Sequence, residues 1–107
     1  MEFQECNLNI RYDAPKIIWE KVAKLYEIMP GWMGFGTKEK GEEGIPYWFS
    51  FDEEEKHILA SVEPSSLQFS GLMKLDEWNN WKFEFKQKAT ELLGYKVGEI
   101  EEGEVDY

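Results

Sequence analysis

The residues able to do chemistry are few, and their spacing does not favour it. Cysteine and histidine occur once each, as Cys6 and His57, so a thiolate–imidazole pair would need the fold to juxtapose two residues far apart in the chain. Structural zinc takes four Cys or His ligands, and two cannot supply them. The run Asp52-Glu53-Glu54-Glu55 offers clustered carboxylates to a hard cation. It lacks the alternating ligands, central glycine and distant glutamate of a calcium loop, and reads as a charged hairpin turn. The glycines of GWMGFG, residues 31–36, are not in dinucleotide-binding order, and no Lys-Ser/Thr follows to cradle a phosphate. Carboxylate pairs for glycoside chemistry can be drawn from any of 22 acids, so none is singled out. The expectation is a chain that is not an enzyme, with no catalytic residue, no metal ligand and no cofactor.

Charge points to binding. Twelve Lys and Arg stand against 22 Asp and Glu, a net charge of -10. Such a surface repels phosphate backbones and anionic lipid, which argues against nucleic acid and membranes as partners and for a basic protein. The charge is also uneven. Residues 38–63 hold three Lys against eight acids, residues 99–107 hold five acids and no base, and the remainder balances. Two readings stand: acidic turns that serve solubility, or two segments that meet as one negative surface and steer a basic partner.

Affinity also needs apolar anchors. Trp32, Met33 and Phe35 lie among glycines with no core-facing period, and Trp48 alternates with Tyr47, Phe49 and Phe51. The expected partner-binding set is Trp32, Phe35, Glu42, Glu43, Trp48, Asp52, Glu53, Glu54, Glu55 and Glu63. The competing reading folds these aromatics back over a sheet face or a helix end. Trp78 and Trp81, at helical spacing, belong to the core.

The elements that must position these residues follow from periodicity. Residues 3–12 alternate as a half-buried strand. Asp13 and Pro15 open a helix over 14–29, with Ile18, Val22, Leu25, Tyr26 and Met29 inward and Pro30-Gly31 as its stop. The glycine-rich stretch 31–44 reads as a loop. Strands follow at 45–51, 57–63 and 67–73, then a helix capped by Asp76, with Trp78, Trp81, Phe85, Ala89 and Leu92 inward and Gly94 as its C-cap. KVGEIEE, 96–102, reads as a last strand and 103–107 as a flexible tail. The order β-α-β-β-β-α-β predicts an α+β two-layer sandwich, a mostly antiparallel sheet of about five strands with two helices on one face.

A chain of 107 residues supports one domain, 1–107. Its single cysteine suits the reducing cytoplasm, and its N-terminus lacks the basic and apolar pattern of a signal peptide. Monomer and homodimer through a sheet edge both stay open.

The stretch GIPYWFSFDEEEKHILASVEPSSLQFSGLM, residues 44–73, with the Trp-rich helix and LGYKVGEIEEGE after it, resembles small acidic bacterial immunity proteins, the antidotes of polymorphic or contact-dependent toxins. The resemblance covers residues 31–104. It implies a single non-catalytic domain that neutralises a basic toxin or nuclease by occlusion, and it carries no functional residue over by position. The alternative is a small regulatory or ligand-binding domain whose aromatics line a pocket.

Overall fold

The computed structural model describes residues 1–106. Strand β1 spans Glu2–Leu8, helix α1 Lys16–Ile28, β2 Trp32–Phe35, β3 Pro46–Trp48, β4 His57–Glu63, β5 Ser66–Met73 and helix α2 Leu75–Leu93. The strands form one antiparallel sheet in the order β1-β5-β4-β3-β2. The expected α+β sandwich is therefore the fold, with five strands and two helices.

Alternation places Cys6 and Leu8 of β1 opposite Phe69 and Leu67 of β5, and Ala60 of β4 opposite Phe69 from the other side. This face is buried by both helices. Phe69 lies under all of them: its ring is 6.4 Å from Tyr26 of α1, and 5.2 and 4.7 Å from Trp81 and Phe85 of α2. Burying side chains of this size contributes roughly 1.5–3 kcal/mol each, so this aromatic cluster is the main cement between the layers.

The helix ends differ from expectation in detail. Asp13 does not cap α1: its carboxylate accepts from Arg11 Nε at 3.2 Å, the Ala14 N–H closes a turn on the Arg11 carbonyl, and Pro15, at φ -53°, leads into the helix. Helix α2 starts one residue before Asp76, which with Glu77 sits in the first turn, where a negative charge opposes the helix dipole. Gly94 ends α2 in the left-handed conformation that favours glycine, φ 83°, with its N–H on the Thr90 carbonyl.

The fifth strand comes from an unexpected place. Trp32–Phe35, read as loop, pairs with β3 through a register shift between Trp32 and Gly34. Lys96–Glu102, read as a strand, contributes one bridge, Leu8 to Glu99. Extension stops there because Glu99 turns its carboxylate under α2, where it accepts from Lys82 Nζ at 3.1 Å and Lys86 Nζ at 2.6 Å. Glu104 then accepts from the Glu99 N–H at 2.8 Å and from Lys86 at 3.2 Å. The segment expected to be loose from residue 103 is thus tied down through Glu104, while Tyr107 lies outside the described residues. Among those residues no helix is long and apolar enough to cross a membrane.

This clasp makes a prediction. Glu99→Gln leaves two half-buried ammonium groups short of a counter-charge, and should lower unfolding stability by about 2 kcal/mol in denaturant titration. The Glu104 carboxyl is held below its ordinary 4.5, chiefly by the Glu99 N–H and then by Lys86. Its stabilisation is therefore complete above pH 4.5 and is lost as pH falls through the lowered value. Amide exchange of residues 98–104 should rise in acid before the sheet melts.

Candidate functional site

The two reactive side chains are kept apart. Cys6 faces the helices from β1, and its buried thiol is pushed up to about 12, by burial first and then by the nearby Glu99 charge. His57 is on the other face of β4, with β5 between the two strands, and its Nδ1 lies 2.8 Å from the Glu55 carbonyl oxygen. They do not form a dyad. Among the described residues no group of three or more His, Cys, Asp or Glu is placed to hold a metal ion.

Trp48 requires a correction. It was expected to face a partner, but it is 0% exposed. Its strand face is the one the helices cover, its Nε1–H donates to the Tyr26 carbonyl at 3.1 Å, and its ring meets Tyr26 and Trp81 at 5.1 Å each. Trp32 is half-buried at the edge of this cluster, stacked on Tyr26 at 6.2 Å. Phe35 packs edge-on to Trp32 at 5.5 Å yet remains 51% exposed.

Beside Phe35 an apolar cleft of about 390 Å³ opens between α1 and strands β2 to β4. Trp19, Tyr26, Phe35, Ile45 and Val62 line it, together with Ala23 and Ala60, small residues that leave room between helix and sheet. Val62 points to the helix side of β4 but is 53% exposed, because nothing fills the cleft above it. Ala60 was the signal in the sequence: alanine at a position of core-facing period leaves a gap that bulkier neighbours frame.

The acids divide into two groups. Those of the C-terminal segment lie along β1, and those of 38–55 beside β3, with β5 and β4 between. They do not meet as one surface. Within the second group, however, two loops are pinned together by one hydroxyl. Tyr47, on the sheet face opposite Trp48, accepts from the Glu42 N–H at 2.9 Å and donates to Glu53 Oε2 at 2.9 Å. This draws Glu42 and Glu43 alongside Asp52, Glu53, Glu54 and Glu55, all exposed. Asp52 accepts from the Glu54 N–H and Glu55 from Ser50, contacts that shape the turn without neutralising it. Glu63, half-buried, accepts from Ser61 at 2.6 Å further along β4. Among the described residues none of these seven acids forms a salt bridge.

No protein-family model, curated protein or solved structure matches this chain. The site consists of an acidic cap over β3, without salt bridges among the described residues, and an apolar cleft with an exposed aromatic lip at the root of the cap's first loop. It can attract cations at long range and bury an apolar side chain at short range.

Tyr47 is fully buried, and its role as a pin between two loops was not legible in the strand pattern. Removing the hydroxyl by Tyr47→Phe breaks both bonds and should cost about 1–2 kcal/mol while speeding amide exchange and proteolysis within 38–44 and 50–56. The phenol is held above its ordinary 10.0, by burial first and by Glu53 after it. The folded chain favours the protonated phenol, so this stabilisation is complete below pH 10 and is lost as pH rises through the raised value.

Proposed function

We propose that this chain is a non-catalytic protein-binding module, an immunity protein that neutralises a basic toxin or nuclease domain by occluding it. The observation that carries the reading is the acidic cap. Tyr47 spends its hydroxyl holding Glu42 and Glu43 alongside Asp52–Glu55, and among the described residues none of these acids forms a salt bridge, a self-repelling arrangement that a positive partner would relieve. Phe35 and Trp32 stand next to the cap through the Gly36–Glu43 bridge, and supply the apolar contact that charge alone does not. The resemblance of residues 31–104 to acidic immunity proteins agrees with this. The compartment it implies is the cytoplasm, where such an antidote meets its toxin.

Titration calorimetry and stopped-flow mixing with a basic toxin or nuclease domain as candidate partner test the reading. Phe35→Ala should weaken binding by about 1.5–2 kcal/mol with little change in Tm, since half of its ring is already in water. Charge reversal of Glu42, Glu43, Asp52 and Glu54 together should slow association tenfold or more at low salt, roughly what loss of steering produces, and leave dissociation less affected. Unchanged affinity in both variants would exclude this face.

The cleft supports a second reading, since about 390 Å³ of mostly apolar lining is the size of a small-molecule site. A regulatory ligand there would contact Trp19 and Tyr26 and be insensitive to the charge reversals, which separates it from a protein partner.

A further inference from the structure

The turn from residue 49 to 56 roofs a second recess, at the end of β3 away from the apolar cleft. Its volume is about 290 Å³, and Phe49, Lys56, Glu77, Asn80, Trp81 and Glu84 line it. A cation already sits in it. Lys56 Nζ is 2.7 Å from Glu77 Oε2 and 4.6 Å from the centre of the Phe49 ring. This is carboxylate-plus-aromatic coordination of an ammonium, supplied by the chain itself.

The walls are fixed and the occupant is not. Phe49 holds φ 73°, unusual for a side chain of its bulk. Its N–H donates to the Gly31 carbonyl at 2.7 Å, and its ring lies so close over Gly31 that a Cβ there would meet it at 2.6 Å. Trp81 is anchored by its Nε1–H on the Pro30 carbonyl at 3.0 Å. Lys56 and Glu77, by contrast, are each 38% exposed, and an ion pair so placed is weak enough to exchange. Among the described residues Glu84 pairs only with Lys88, one turn along α2 on the surface.

We infer that this recess is a subsite for an arginine side chain of a partner, with Lys56 as its displaceable occupant. A guanidinium offers Glu77 two parallel donors where the ammonium offers one contact, its plane can lie on the Phe49 ring, and its remaining N–H groups reach toward Glu84 and Asn80. Binding ejects the Lys56 head group into water beside Asp52–Glu55, whose charge receives it. The inference rests on the reading of a basic protein partner and names the side chain that partner must present.

The test uses N-acetyl-arginine methylamide as probe, titrated into isotope-labelled full-length chain and followed by NMR. Shifts should centre on the Trp81 indole N–H and the Phe49 and Glu77 amides. Lys56→Met removes the competitor and should tighten binding about fivefold, whereas Lys24→Met, an equal loss of charge on the exposed face of α1, should change it less than twofold. Glu77→Gln should weaken it about tenfold, and N-acetyl-lysine methylamide should bind several-fold more weakly than the arginine probe. Equal behaviour of the Lys56 and Lys24 variants, or shifts elsewhere, overturns the inference. If the probe binds as described but no basic protein is bound, the subsite stands and the partner reading fails. If a toxin binds through Phe35 with Glu77→Gln unaffected, the reverse holds.

Discussion

An indole N–H buried among apolar rings must find an acceptor, and both inner tryptophans find theirs at the exit of α1. Trp48 Nε1–H takes the Tyr26 carbonyl, one of those the last helical turn leaves without an intrahelical partner, and Trp81 Nε1–H takes the Pro30 carbonyl just beyond. The Phe49 N–H takes the next, on Gly31. One donor comes from the sheet, one from α2 and one from the start of the acidic turn. The chain leaving α1 is thereby held against three elements, which fixes the path of residues 26–31 and delivers Trp32 to the edge of the sheet.

The two faces of β3 follow from that anchoring. With Trp48 locked inward, alternation forces Tyr47 outward, and at the rim of a three-residue strand its hydroxyl meets both flanking loops. The strand ends where Phe49 turns to positive φ, so residues 50–56 fold back over the outer face instead of extending a hairpin. A buried indole and an exposed acidic cap are consequences of the same short strand.

Much of this was legible in the sequence and some was not, for identifiable reasons. Both helices and the hairpin β4–β5 show long, regular periods, and Gly94 announced its C-cap, although Leu93 and not the expected Leu92 is the residue buried at the end of α2. Trp32–Phe35 carries no such signal, because two of its neighbours are glycines and its strand character is induced by pairing with β3 across a bulge. Lys96–Glu102 alternates convincingly, yet Glu99 is paired with lysines from α2, and a pairing made across the fold leaves no trace in local pattern. Trp48 was placed on the correct strand and on the face opposite Tyr47. Which face the helices would cover is a property of topology, and the same holds for the separation of the two acidic segments.

That separation changes what the charge means. Counted along the chain, the central and C-terminal segments contribute equally to the net charge. In space Glu99 and Glu104 are answered by Lys82 and Lys86 and serve to close the fold, whereas among the described residues the acids around Tyr47 have no ion-pair partner. Counter-charges within a few ångströms cancel each other's field at a distance, and unpaired ones do not. Among the described residues a group of acids without salt bridges therefore stands at the β3 end of the sheet, where Phe35, Val62 and the Phe49 recess are also found. On the proposed reading as a docking face that proximity has a use, since long-range attraction is effective only where short-range burial can follow.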